Sequence, residues 1–276
     1  MAGTLPTVEE SADWIDYGYR RSKNNYGSIY IIDEPFMWYK DVKVGIDTYR
    51  AVYFIQYRHL QNFVGLNSSN QGTNGYYSQT VYWFKFDLIR WNILEDRSDK
   101  VLLISDLILD SQYFYKSSAL RSENVAIWPN NYERSDLREW LNNSFYNSAF
   151  STSQRGNILL SAVDNSLAST GDTSNNFVCN NTQDKVFLLS RVEAEAYIEA
   201  GADFIKSASQ YSLAQGFSLK NNHNNAWWLR TPHYYDHNNQ GRSSLLIDGD
   251  GTVAAVGMTE SNYADVGVVP VIWLSI

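Results

Sequence analysis

Ala226-Trp227-Trp228-Leu229-Arg230-Thr231-Pro232 is the stretch that decides the fold, and strongly polar segments flank it. Asn221-Asn222-His223-Asn224-Asn225 leads into it, and His233-Tyr234-Tyr235-Asp236-His237-Asn238-Asn239-Gln240-Gly241-Arg242 follows. The chain then closes on Val271-Ile272-Trp273-Leu274, an apolar strand. An apolar frame thus alternates with segments made almost wholly of Asn, His, Tyr, Asp and Gln. Tyr and His supply stiff, amphipathic contact area, and Asn and Gln supply adaptable hydrogen bonds. Polar loops carried on a rigid frame are the usual construction of a recognition site. The residues read as a binding module.

The rest of the composition agrees with that reading. A chain of 276 residues can bury a full core as one large or two small domains. Aromatic residues reach 15% and charged residues only 19%, with nine Trp and twenty Tyr. That is more amphipathic ring than a core requires, so some rings are expected at a surface that meets a partner. The net charge of −8, with no basic cluster, argues against nucleic acid or an anionic membrane as the partner. Cys179 is the single cysteine, which excludes an intrachain disulfide and a cysteine-based zinc site. No apolar run approaches the length of a membrane span, so no membrane insertion is expected. Met1-Ala2-Gly3-Thr4-Leu5-Pro6-Thr7 has neither the charged nor the apolar segment of a signal peptide.

Residues 1–40 read as an N-terminal extension or strand segment, and 41–276 as the main domain with binding loops at 221–265. Runs from Ile29 to Tyr39 and from Val42 to Tyr57 are rich in β-branched and aromatic residues and predict strands. Gln61 to Ser78 is a loop by composition. Ile89, Trp91 and Ile93 alternate with Arg90 and Asn92, which predicts a half-buried strand with the three apolar residues inward. Val101-Leu102-Leu103-Ile104 follows a turn and predicts its antiparallel partner. Ser135 caps an expected helix through Leu137, Trp140, Leu141 and Phe145. Val186 to Leu189 reads as a short strand. Ser190-Arg191-Val192-Glu193 is a capping box that opens a second helix, which Gly201 can end. Two main helices among many antiparallel strands make an α+β domain.

Several motifs invite chemistry and are better explained without it. Asp248-Gly249-Asp250-Gly251 begins like a calcium loop, but Thr252, Val253 and Thr259 stand where that loop needs Asp or Asn, Gly and Glu. It reads instead as a hairpin turn between Leu245-Leu246-Ile247 and Thr252-Val253-Ala254. His233 and His237 lie four residues apart beside Asp236, yet in a loop, so a metal site is not expected. No Gly-x-Ser-x-Gly elbow, phosphate loop or dinucleotide fingerprint is present. Cys179 has no nearby base to lower its pKa. In a strand, Trp227 and Trp228 face opposite sides, which predicts core for at least one of them and leaves a sugar-stacking platform as the alternative.

A resemblance follows from the order of motifs along the chain. Trp83-Phe84-Lys85-Phe86 and Ile89-Arg90-Trp91 come first, then Trp128-Pro129-Asn130-Asn131 and Ser135-Asp136-Leu137-Arg138-Glu139-Trp140-Leu141-Asn142. Asp184-Lys185-Val186-Phe187-Leu188-Leu189-Ser190, Ala226-Trp227-Trp228-Leu229-Arg230-Thr231-Pro232 and Gly267-Val268-Val269-Pro270-Val271-Ile272-Trp273-Leu274 complete the set. Over roughly residues 40–276 the chain resembles a domain of unknown function common in gut Firmicutes and their phages. That domain is similar in layout to the C-type-lectin-like fold of the formylglycine-generating-enzyme type. The resemblance extends to the variable proteins of diversity-generating retroelements, in which adenine-directed mutagenesis rewrites a C-terminal ligand-binding face. His233 to Asn239 and Ser261-Asn262-Tyr263 contain residues obtainable that way. The enzymatic branch of the fold uses paired cysteines for copper, and one cysteine cannot supply a pair, so oxidase activity is not carried over.

The resemblance and the composition together imply a non-enzymatic receptor- or ligand-binding protein that needs no cofactor. Its partner is expected to be a protein or glycan ligand on a cell surface, met from a bacterial cell surface or a phage virion. The expected contacts are His233, Tyr234, Tyr235, Asp236, His237, Asn238, Asn239 and Arg242. Asn222, His223, Asn224, Asn262, Tyr263 and Asp265 are expected beside them. A fixed glycan-binding adhesin or lectin is the alternative, and a hydrolase the third possibility.

Overall fold

The computed structural model describes residues 15–17, 20–23, 29–32, 37–54, 76–77, 80–115, 121–123, 125–215, 217, 225–234, 241, 243–254 and 266–276. Two compact units emerge, Met1–Leu88 with Gln210–Phe217, and Ile89–Ser209 with Ser218–Ile276. The described elements are a mixture of mainly antiparallel sheets and short helices, an α+β arrangement.

The first unit contains strands β1 (Ile15–Tyr17), β2 (Arg20–Lys23), β3 (Ile29–Ile32), β4 (Met37–Val44), β5 (Asp47–Phe54) and β6 (Val81–Lys85). β1-β4-β5-β6 form a sheet, and β2 pairs with β3. The apolar run read as one strand from Val42 is broken at Gly45-Ile46, since Val44 pairs with Asp47 across a tight turn. Gly45 takes φ +64 there, a left-handed conformation that glycine adopts without strain. Tyr39, Tyr76, Tyr82, Phe84 and Tyr211 pack around the fully buried Val52 and Ala214, so the helix Gln210–Ala214 shares this sheet's core.

The second unit begins with the expected hairpin of β7 (Trp91–Asp96) and β8 (Lys100–Ser105), to which the final strand is added. Ile89 and Trp91 are half-buried and Arg90 and Asn92 exposed, as the alternation predicts. Ile93 is not: it is 62% exposed, on an edge strand whose register slips just after it, between Ile93 and Glu95. One extra residue on one strand disrupts the ladder locally and resets which face the side chains take.

Ser135 accepts from the Arg138 N–H at 3.0 Å and opens helix α1 (Asp136–Trp140). The expected single helix then widens into a π turn over Leu141–Phe145 before α2 (Tyr146–Ala149). Leu137, Leu141 and Phe145 are still all buried, which preserves the apolar face. Within the π turn the Asn142 side chain donates to the Val186 carbonyl at 2.9 Å and accepts from the Lys185 N–H at 2.8 Å. A polar residue inside a helix is used here to tie it to a neighbouring segment. That segment departs from expectation: Val186 to Leu189 is buried, but its only bridge is Phe187 to Val271. Its carbonyls are taken elsewhere, at Leu189 by the Arg230 N–H and at Leu188 by the Arg230 side chain.

The Ser190–Glu193 capping box forms with both of its hydrogen bonds and opens α4 (Arg191–Glu199), after the short α3 (Thr152–Asn157). Gly201 follows α4 with φ +92. The C-terminal sheet contains β9 (Asp110–Ser111), β14 (Trp227–Pro232), β15 (Ser244–Ile247), β16 (Val253–Ala254) and β17 (Gly267–Val268), in the order β16-β15-β14-β17-β9. Its pairs are antiparallel except for β14 with β17. The Asp248–Gly251 segment is the expected hairpin turn, closed by Asp248 N–H to Thr252 O at 2.9 Å. The final strand, β18 (Val271–Ser275), completes the sheet of β7 and β8. β10 (Arg121–Glu123) with β11 (Val125–Ile127), and β12 (Ser161–Val163) with β13 (Thr182–Asp184), are separate hairpin-like pairs.

All six residues of β14 are buried. Trp227 and Trp228 are both inaccessible, so neither forms an exposed sugar platform. Trp227 packs edge-on against Phe204 and donates to the Phe204 carbonyl, while Trp228 packs against Phe114 and donates to Gln112. Adjacent residues do take opposite faces, as expected, but both faces of this central strand are covered.

Between Trp228 and Pro232 the pairing of β14 with β15 slips, which leaves Leu229 to Thr231 to serve another partner. Arg230 bonds both carboxylate oxygens of Glu193, and also the carbonyls of Leu188 and Asp164. Its own side chain is 1% exposed while that of Glu193 is 38% exposed. Water therefore screens the carboxylate, and the larger cost of losing Arg230 lies in the carbonyls left without a donor. Arg230→Ala is expected to destabilise the fold by about 3–5 kcal/mol and Glu193→Gln by only about 1 kcal/mol, read by urea unfolding. Equal losses for the two variants would show that the ion pair, and not the carbonyl bonds, carries the stability.

Candidate functional site

The polar segments that suggested recognition leave the C-terminal sheet at two places. Ala226 and Val266 precede β14 and β17, which run parallel with Trp227 opposite Gly267, and the Gly267 N–H donates to the Ala226 carbonyl at 2.9 Å. Ala226 and Val266 therefore both lie at the N-terminal end of β14. The segment carrying His233 to Arg242 starts at the other end, about 16 Å away for a strand of this length. Of the expected contacts, only His233 and Tyr234 lie among the described residues. Asn222, His223, Asn224, Tyr235, Asp236, His237, Asn238, Asn239, Arg242, Asn262, Tyr263 and Asp265 lie outside them.

His233 and Tyr234 differ in environment. His233 is 9% exposed and its N–H donates to the Ser243 carbonyl at 2.9 Å, which continues the ladder past Pro232. Tyr234 is 48% exposed, with its ring edge-on to the His233 ring at 5.9 Å. The buried histidine thus backs an aromatic ring that faces solvent.

Two segments distant in sequence, 128–130 and 175–177, hold the ends of the 233–242 connection. The Asn130 side chain donates to the Ser243 carbonyl and the Asn130 backbone N–H to the Gly241 carbonyl, each at 2.9 Å. Asn175 donates from its side chain to the Pro232 carbonyl at 2.8 Å, and its Oδ1 accepts from the Phe177 N–H. Trp128 and Phe177 pack edge-to-face at 5.1 Å, and Gly241 lies against them. A Cβ at Gly241 would lie 2.7 Å from Trp128 Cβ and 2.9 Å from Phe177 Cδ1, and its φ is +55. Asn130, Asn175 and Gly241 are residues of the candidate site that sequence reading alone did not assign. Trp128-Pro129-Asn130-Asn131 was visible as a motif, but nothing local indicated a partner more than one hundred residues away.

The chemistry of the described residues near the site is that of bonding and packing. Burial pushes the Cys179 thiol up, which keeps it protonated and poorly nucleophilic at neutral pH. Among the described residues there is no group of three or more His, Cys, Asp or Glu able to hold a metal ion, and no helix long and apolar enough to cross a membrane. Residues 98–276 match the model of a protein family described as a domain of unknown function (DUF6273). The chain belongs to that family. No curated protein and no solved structure matches it. The matched region of this DUF6273 member contains Trp128, Asn130, Asn175 and Gly241, and so the whole of the loop clamp.

Among the described residues of this unit, Lys206 is a buried cation whose pKa moves down. Its side chain is 3% exposed, and burial lowers the ammonium below the usual 10.5, opposed only through space by Asp106 and Asp203. The folded state therefore loses the proton at lower pH than the unfolded state, and the charged form opposes folding below the folded-state pKa. That opposition fades as pH rises toward 10.5.

Two expectations follow. Lys206→Met should raise the melting temperature at pH 7, and the gain should shrink steadily as the pH is raised toward 10.5; a gain independent of pH would locate the effect in packing. Gly241→Ala should cost about 1–3 kcal/mol in thermal unfolding through the clash with Trp128. A neutral outcome there would mean that the clamp yields without strain.

Proposed function

We propose that this protein is a non-enzymatic ligand- or receptor-binding protein that displays a C-terminal Tyr/Asn/His/Asp-rich face. The observation that carries the reading is the clamp: both ends of the 233–242 segment are fixed by buried side chains, and Tyr234 stands exposed at its first turn. Holding a polar segment at both ends lowers the ordering cost that binding would otherwise impose, which is how recognition loops gain affinity. Tyr would act as the rigid anchor and the Asn, Asp and Arg residues would orient the ligand through hydrogen bonds.

The scaffold in this reading is a C-type-lectin-like fold of the formylglycine-generating-enzyme type without that enzyme's copper cysteines. Supporting it are the short helices beside a C-terminal sheet and the terminal strand paired back onto an earlier hairpin. The site of action is a bacterial cell surface or a phage virion, the partner is a protein or glycan on a cell surface, and the face is diversified by a retroelement. The motif order and the adenine-accessible residue types between His233 and Asn239 support that last element.

Deep sequencing of the codons for residues 221–265 in the source population tests diversification. Changes confined to adenine positions, with the Trp227-Trp228 codons constant, are expected; a uniform sequence would leave a fixed adhesin or lectin. For binding, the full chain is applied to a glycan array and to intact bacterial cells, with and without Tyr234→Ala. That variant should lose at least about tenfold in affinity, about 1.4 kcal/mol, with a melting temperature within about 2 °C of the parent. Unchanged binding would remove Tyr234 from the site, and a large fall in melting temperature would make its ring structural.

A further inference from the structure

The family match and the division into units do not coincide, and the mismatch is informative. The matched region, residues 98–276, includes Gln210–Phe217, yet this segment belongs to the unit otherwise built from Met1–Leu88. Every strand of the sheet it packs on, β1, β4, β5 and β6, lies outside the match. The contacts are those of a docked core element. Ala214 and Val52 are fully buried together, with Tyr39, Tyr76, Tyr82, Phe84 and Tyr211 packed around them. The Phe84 and Tyr211 rings meet edge-on at 5.4 Å. Polar bonds fix the orientation: Tyr76 Oη donates to Gln210 Oε1 at 2.9 Å, and Arg50 donates to the Tyr211 hydroxyl at 3.3 Å. Arg50 itself lies over the Tyr39 ring and is held by both oxygens of Asp41.

We infer that Gln210–Phe217 is a docking segment through which the family domain holds the N-terminal sheet of the same chain, β1, β4, β5 and β6. A helix this short does not persist in water on its own, so its structure comes from the surface it docks on. Alternation along β5 presents Arg50 and Val52 on one face of the sheet, and Tyr39 and Phe84 flank them from β4 and β6. The partner that fits the segment is thus an antiparallel sheet with an aromatic face and a guanidinium fixed by a carboxylate. Affinity would come from the buried apolar contacts and orientation from the Arg50–Tyr211 and Tyr76–Gln210 bonds. This inference is independent of the binding face proposed above.

The test uses the full chain with a protease recognition sequence inserted between Leu88 and Ile89, where Leu88 is 87% exposed. After cleavage, residues 1–88 are expected to co-elute with 89–276 in gel filtration. Ala214→Glu, on the segment, and Val52→Lys, on the sheet, should each weaken retention at least about tenfold. Tyr211→Phe, which removes only the hydroxyl, should retain the module. Near-UV circular dichroism of the 89–276 piece, which carries six of the nine Trp, reports whether the family domain stays folded in each variant. Separation of the cleaved native pieces would overturn the inference. So would retention by both charged variants, or release by one of them only with loss of the Trp signal while the other retains the module.

Discussion

The fork of hydrogen bonds from Arg230 is the interaction on which the arrangement of the larger unit depends. It lies where β14 slips in register against β15, so the slip and the arginine serve one purpose. The guanidinium reaches Glu193, and Glu193 also closes the capping box by accepting from the Ser190 N–H at 2.8 Å. One carboxylate therefore starts α4 and fixes it to the central strand. The remaining donors of Arg230 satisfy carbonyls of Leu188 and Asp164, two segments without ladder partners at those positions. A planar guanidinium with five donors can pair both oxygens of a carboxylate and still serve two carbonyls, one bond more than the three donors of a lysine allow.

A strand fixed in this way can be buried on both faces, and its ends then become reference points for the polar segments beyond them. Asn130 and Asn175 hold the 233–242 connection through main-chain carbonyls of Pro232, Gly241 and Ser243. Every residue type supplies a carbonyl, so these bonds place no demand on the side chains between the anchors. Gly241 is restricted in identity, because Trp128 and Phe177 leave no room for a Cβ. Such bonds separate the identity of side chains in the connection from the stability of the frame. Recognition surfaces that differ in sequence on one scaffold require that separation.

The two units have different relationships to the family. The loop clamp is contained in the matched region, whereas the core around Val52 is completed by residues from inside and outside it. Sequence order alone conceals this, since Gln210 to Phe217 arrives between α4 and β14 and reads as one more connection. Its packing on Val52 and Phe84 and its hydrogen bonds with Tyr76 and Arg50 assign it to the N-terminal sheet.

By itself the sequence determined those features whose causes lie within a few residues. The Ser135 and Ser190 caps, the Asp248–Gly251 turn, the β7–β8 hairpin and the apolar spacing of Leu137, Leu141 and Phe145 are local, since each follows from hydrogen bonds or alternation over a short span. The polar character of 221–242 was equally plain, and so was the α+β class. Tertiary structure decided what depends on long-range partners. It left Ile93 exposed on an edge strand, widened the helix at Asn142 to reach Val186, and covered both faces of Trp227-Trp228. It also brought Asn130 and Asn175 to the ends of a loop far along the chain. Propensity and periodicity describe a residue's neighbours in sequence, whereas register slips and side-chain bonds to distant carbonyls are set by whichever segment packs alongside.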